Sequence, residues 1–133
     1  MTLSVCIITN QTATLRRALN SVKFADEVIL VATGNYGAVR AIASEFDNVR
    51  YFRKSFNKHF IKNWKLKKIF LFPDARNYSL DRATMDWILI LDSDEWIDNP
   101  EQIKKLMSTP DIIAWRLDQI SLINKAEIAI SQT

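Results

Sequence analysis

Apolar positions along this chain follow two rhythms. Unbroken runs such as Val5-Cys6-Ile7-Ile8 and Val28-Ile29-Leu30-Val31 have the pattern of strands buried on both faces. Between them, Leu15, Ala18, Leu19 and Val22 recur at the spacing of one helix face, as do Val39, Ile42, Ala43 and Phe46. The pattern predicts strands over Leu3–Thr9, Val28–Ala32 and Val49–Phe52, with a helix in each interval and Thr12 or Thr14 capping the first helix. A β-α-β-α-β order with short loops is the signature of a parallel sheet covered by helices.

Residues 53–73 interrupt this rhythm. Phe56, Phe60 and Trp64 stand four apart, which suits a basic helix with its aromatic side chains on one side. A short helix is expected over about 74–83, then a strand over Trp87–Leu91 that runs directly into Asp92-Ser93-Asp94-Glu95. Asn99-Pro100-Glu101-Gln102 reads as a helix start, with Asn99 as N-cap, Pro100 at N1 and Gln102 at the capping-box position. Ile103, Leu106 and Met107 should face inward. A strand is expected over Ile112–Leu117, and strand character at Ile120–Ile123 and Ile128–Ile130 has no assigned place. The fold class is therefore α/β, a mostly parallel sheet flanked by helices in a single domain.

Composition narrows the chemistry. The 133 residues are 48% hydrophobic and 25% charged, which suits one globular domain and not a disordered chain. Two glycines, Gly34 and Gly37, cannot supply a dinucleotide fingerprint or a phosphate loop. A single histidine, His59, and a single cysteine, Cys6, exclude a His/Cys zinc site and a disulfide framework. His59 is expected at the surface, and Cys6 as a small buried hydrophobe. Trp87, Trp96 and Trp115 lie in or beside strand-like segments, where core packing is expected. No apolar run reaches the roughly 18 residues of a membrane span, and the first residues lack the basic start of a signal peptide. The expected location is cytoplasmic.

The net charge of +3 conceals two blocks. Residues 50–68 hold eight basic residues and no acid, whereas five acids fall within 92–101. The basic, aromatic block suits an anionic membrane surface, nucleic acid or an anionic acceptor; a solvated helix face with docked aromatics is the competing explanation. In the acidic block, Asp92 and Asp94 stand one residue apart at the end of a buried strand. Open α/β sheets bind ligands beyond the carboxyl ends of their strands. Two converging carboxylates can hold Mg²⁺ or Mn²⁺ and leave positions open for phosphate oxygens. A polar turn that merely ends the strand is the alternative. Asp74-Ala75-Arg76-Asn77, at a predicted helix start, is a candidate anion site, or else an ordinary cap with a solvated arginine.

These pieces occur in a familiar order. Leu3–Thr9 with its following helix, Ala25–Gly34, Ala75-Arg76-Asn77-Tyr78-Ser79-Leu80 and Trp87–Trp96 together resemble inverting family 2 glycosyltransferases of GT-A (Rossmann-like) fold. The likeness covers about residues 3–107 and is nearest to the bacterial branch related to lipopolysaccharide-core glycosyltransferases, in a truncated or divergent form. The resemblance implies a nucleotide-diphosphate sugar as donor and a glycan or lipid-linked acceptor, as in cell-envelope glycan biosynthesis. It implies Asp92 and Asp94 as ligands of Mn²⁺ or Mg²⁺. It also implies Thr9, Asn10, Thr33, Arg76 and Asn77, with the two aspartates, as nucleotide-sugar contacts. The family aspartate that follows the second strand is Ala32 here, and no residue matches the family's catalytic base, so none is assigned. Residues 1–117 would form the donor domain, with a basic insertion at about 53–73. Residues 118–133 would be a tail or the start of an acceptor region.

A lipid-linked acceptor makes the inner membrane face the expected target of residues 53–68. The rival readings are a non-catalytic remnant acting as a binding or assembly module and, ranked last, a nucleic-acid-binding domain.

Overall fold

The computed structural model describes residues 2–55 and 75–109 in full, and the backbone of two further strands at 114–117 and 120–124. The expected basic helix with Phe56, Phe60 and Trp64, His59, Asp74 and the segment Ile128–Ile130 lie outside the residues so described, as does the side chain of Trp115. The elements in chain order are β1 (Leu3–Thr9), α1 (Leu15–Ser21), β2 (Glu27–Ala32), α2 (Tyr36–Ala43) and β3 (Val49–Arg53). Then follow α3 (helical residues 75–82), β4 (Trp87–Ile90), α4 (Pro100–Met107), β5 (Ala114–Leu117) and β6 (Ile120–Asn124).

The strands form one sheet in the order β3-β2-β1-β4-β6-β5. The first four are mutually parallel, and β6 runs antiparallel to both β4 and β5. Ile120–Ile123, unplaced by periodicity, thus falls within the strand that extends the sheet past β4. This is a mostly parallel α/β sheet with flanking helices, as expected from the apolar runs. β1 and β2 are buried almost throughout because helices cover both of their faces.

Alternation along the strands divides the core in two. Leu3, Val5 and Ile7 of β1, with Val28, Leu30 and Ala32 of β2, join Leu15, Ala18 and Leu19 of α1, Val39 and Ile42 of α2, and Ile103 and Met107 of α4. On the other face Cys6, Ile29, Val31 and Ile88 pack with Ala83, and with Tyr78 and Leu80 of α3. Cys6 is buried as expected, its Sγ donating to the Ser79 carbonyl.

The helix ends show local chemistry. Asn99 caps α4, its side chain accepting from the Gln102 N–H with Pro100 in the first turn, as the sequence predicts. Thr14 takes the N-cap position of α1 but makes no side-chain cap bond. Its hydroxyl instead donates to the Ser93 carbonyl at 2.6 Å, a tie between the α1 start and the loop after β4. Among the described residues no helix is long and apolar enough to cross a membrane.

At the amino ends of the strands lies a buried carboxylate. Glu27 accepts from Ser4 Oγ (2.6 Å), the Thr84 N–H (2.7 Å), Thr84 Oγ1 (3.0 Å) and Arg50 Nη1 (3.0 Å). Ser4 Oγ in turn accepts from the Met85 N–H, so one carboxylate joins β1, β2, β3 and the entry to β4. Burial pushes the Glu27 carboxyl up, and the bonds from Ser4, Thr84 and Arg50 more than offset it, leaving it below its ordinary range.

Candidate functional site

The opposite, carboxyl ends of β1, β2 and β4 form one rim. Register places Thr9 beside Ala32 and Cys6 beside Ile90, and the Leu91 N–H continues the ladder to the Cys6 carbonyl. The loops after these three strands therefore emerge side by side, at the edge where open α/β sheets take ligands.

The β1 loop is closed by its own threonine. Thr9 Oγ1 donates to the Gln11 carbonyl and accepts from the Gln11 N–H, so this buried side chain shapes the turn. The Thr33 N–H donates to the Thr9 carbonyl and binds the second loop to the first. Gly34 brings them closer still: a Cβ there would lie 3.3 Å from Asn10 Cβ. Asn35 follows in the left-handed region, φ 53°, a conformation asparagine tolerates, and turns the chain into α2. Asn10 is exposed on this rim and Thr33 half-buried. Ala32, where the family resemblance expects an aspartate, is fully buried and offers a ligand nothing polar.

The β4 loop presents its carboxylates by burying the residue between them. Ser93 is buried, while Asp92 and Asp94 on either side are exposed. The inward position is fixed by Thr14 on the Ser93 carbonyl and by a long 3.5 Å contact from Gln11 Nε2 to Ser93 Oγ. The loop is a tight turn closed by the Glu95 N–H on the Asp92 carbonyl, and Glu95 Oε1 returns to accept from the Asp92 N–H. Burial, together with the negative charges of Asp92 and Asp94, raises the Glu95 carboxyl above its ordinary range, against the Asp92 N–H and Arg76, which lower it.

Among the described residues, two arginines reach this turn. Arg17 of α1 lies over the Trp96 ring at 3.9 Å and extends a long 3.5 Å contact to the Asp94 carbonyl. Trp96 is 47% exposed. The core position expected for it gives way to an exposed stack under a guanidinium, with its indole N–H donating to Asp98. Arg76 of α3 places Nη2 3.7 Å from Asp92 Oδ1. Asn77, next on the helix, is exposed.

The structure thus gathers Asn10, Thr33, Arg76, Asp92 and Asp94 at the edge formed by three loops, with Thr9 as a buried turn-former beneath them. Gln11, Thr14, Arg17 and Glu95 complete the frame, and the sequence reading did not single them out for it. Glu95 carried a signal, being contiguous with the two aspartates. Arg17 and Thr14 carried none, because their contacts bridge about 80 positions. Among the described residues no three His, Cys, Asp or Glu side chains cluster closely enough to form a protein-only metal cage. Two exposed carboxylates do fit Mg²⁺ or Mn²⁺, which take one or two carboxylates and complete their shell with water and phosphate oxygens.

No protein-family model matches the chain, and no curated protein is similar to it in sequence. Solved structures are similar in fold. Residues 1–349 of S. aureus TarS superpose with a TM-score of 0.67 at 16% identity, over 99% of this chain and 49% of that one. The 4-diphosphocytidyl-2C-methyl-D-erythritol synthase of Anaerococcus prevotii gives 0.60 at 14% identity, over 97% of this chain and 72% of that one. The glycosyltransferase GlyE of Streptococcus pneumoniae, in its apo form, gives 0.52 at 15% identity, over 99% and 36%. The chain spans about half the length of the TarS fragment and about a third of GlyE. At these identities the likeness establishes the fold, which is GT-A-like.

Proposed function

We propose that this chain is the donor-binding part of a glycosyltransferase, taking a nucleotide-diphosphate sugar with Mn²⁺ or Mg²⁺ and serving transfer to a glycan or lipid-linked acceptor. The observation that carries the proposal is the pair Asp92 and Asp94, both exposed about a buried Ser93 at the carboxyl end of β4, on the same rim as the β1 and β2 loops. The GT-A-like fold supports it, since GlyE is a glycosyltransferase of similar architecture. The order of motifs from Leu3 to Trp96 supports it independently.

In this reading Asp92 and Asp94 hold the metal, which when bound neutralises charge on the leaving diphosphate. Asn10 and Thr33 border the nucleoside, and Arg76 approaches the diphosphate as a charge-assisted donor. Buried Ala32 supplies no hydrogen bond to a base, so several nucleoside diphosphates should bind with only a small preference for uracil. A non-catalytic remnant of the same fold is the second reading, and buried Ala32 is the observation that favours it.

Calorimetry with UDP, GDP and Mn²⁺ on the wild type and Asp94→Ala tests the proposal. Metal and diphosphate should each tighten the other by the same factor, and Asp94→Ala should remove that coupling. Metal-independent binding, or coupling unchanged in Asp94→Ala, would refute the site. No binding at millimolar ligand would favour the remnant.

A further inference from the structure

The two arginines at the acidic turn are held in different ways. The Arg17 guanidinium is engaged by the Trp96 ring and the Asp94 backbone carbonyl, so it braces the turn without meeting a carboxylate there. Arg76 meets a carboxylate and meets it loosely. Its Nη2 is 3.7 Å from Asp92 Oδ1, beyond hydrogen-bonding distance, with the two side chains 40% and 64% exposed. An ion pair of that kind in solvent is weak and exchangeable. The carboxylate it occupies is also one of the two that the donor-site reading gives to a divalent cation.

We propose that Arg76 is a built-in counter-ion of the acidic turn: it pairs with Asp92, competes with an incoming cation, and passes to the diphosphate once both ligands are bound. The inference rests on the donor-site reading. Its physical basis is simple. A carboxylate shared with a guanidinium is a poorer ligand for a dication, because the dication must displace a positive charge or be held beside one. A diphosphate arriving with the metal gives the displaced guanidinium a better partner, since phosphate oxygens accept bidentate arginine bonds. The competition with metal alone thereby becomes cooperation with the metal–nucleotide pair. A free carboxylate pair would take cations from solution indiscriminately, whereas a self-paired one favours metal that comes with its nucleotide.

A counter-ion that changes partner affects the two ligands with opposite sign. Removing the guanidinium should tighten Mn²⁺ alone and weaken nucleoside diphosphate in the presence of Mn²⁺. A permanent phosphate ligand would show only the second effect. A residue that merely supports the turn would weaken both.

The experiment is titration of the full chain with Mn²⁺ alone, followed by paramagnetic resonance of the free ion, and then with GDP at saturating Mn²⁺. The proteins are wild type, Arg76→Met, Arg76→Lys, Asp92→Asn and the Asp92→Asn/Arg76→Met double variant, each checked for fold by circular dichroism. Arg76→Met should bind Mn²⁺ alone about two- to fivefold more tightly, the span open to an exposed ion pair, and GDP–Mn²⁺ several-fold more weakly. Arg76→Lys, which keeps the charge, should stay nearer the wild type. The gain in Mn²⁺ affinity should vanish in the Asp92→Asn background, because the two residues act as a pair. If the gain persists there, general electrostatics explain it and the inference falls. If the wild type binds Mn²⁺ and GDP but Arg76→Met leaves Mn²⁺ affinity unchanged or lower, the inference falls and the donor site stands. If no protein binds Mn²⁺ or GDP, the donor-site reading falls and this inference with it.

Discussion

Replacing Glu27 tests how the sheet is held at the rim opposite the candidate site. Glu27→Ala removes the acceptor of Ser4 Oγ, of the Thr84 N–H and hydroxyl, and of Arg50. Ser4 is completely buried, so its hydroxyl loses its acceptor where water does not replace it. An orphaned buried donor costs about 1–3 kcal/mol. Thr84 is exposed, so its groups regain water and the loss is smaller. The Arg50 side chain is 48% exposed, which limits that pair to below about 1 kcal/mol. Relief from burying a charge offsets part of the total.

The expected net destabilisation is about 3 kcal/mol, a large share of the roughly 5–15 kcal/mol that holds a domain folded. In urea unfolding at neutral pH, with a slope of about 2 kcal/mol per molar, the midpoint should fall by roughly 1.5 M. Arg50→Ala is the control and should fall by less than about 0.5 M. A Glu27→Ala midpoint within about 0.3 M of wild type would refute the view that this carboxylate joins four segments.

The same carboxylate gives a pH prediction. Its folded pKa lies below the ordinary value of 4.5, so its stabilisation is complete above that value and is lost as pH falls through the folded pKa. The stability gap between wild type and Glu27→Gln, from urea midpoints at several pH values, should therefore be constant near neutrality and narrow as the solution is acidified below 4.5. A gap that widens on acidification would contradict the sign. Thr14→Val removes the hydroxyl tie to the Ser93 carbonyl and should cost about 1 kcal/mol in urea unfolding. It should also weaken metal–diphosphate binding several-fold; unchanged binding would show that Ser93 is held by other means. Leu89→Ala, at a fully buried position of β4, should cost about 2–5 kcal/mol in the same assay, and less than 1 kcal/mol would contradict the described core.

Most of the fold was legible because its signals are local. The runs at Val5–Ile8, Val28–Val31 and Ile88–Leu91 are continuous because helices cover both sides of the sheet, and such runs announce buried parallel strands without any partner being known. The faces of α1, α2 and α4 were equally plain, since Leu15, Ala18 and Leu19 or Ile103 and Met107 follow the helical period. The place of β6 was not legible. Its pairing with β4 matches residues more than 30 positions apart, and periodicity contains no information about partners.

The same limit explains the site. Asp92 and Asp94 stood out because a buried strand ends on them. Trp96 looked like a core residue because it follows that strand, and its exposed stack on Arg17 depends on a residue 79 positions earlier. Thr14 looked like a cap because threonine before a helical run usually is one. Its oxygen accepts no N–H of the helix, and its hydroxyl donates to the Ser93 carbonyl, which folding brings beside it. Glu27 carried no signal of its role, since only the assembled sheet brings its four donors together.

Amide chemical-shift mapping of the ¹⁵N-labelled chain, titrated with Mg²⁺ and a nucleoside diphosphate together, tests the donor site residue by residue. Shifts are expected to concentrate at Asn10, Thr33, Arg76 and residues 92–95, all on one rim, and to be absent when either ligand is added to Asp94→Ala. Shifts centred at the opposite rim around Ser4, Glu27 and Thr84, or no shifts at millimolar ligand, would contradict it.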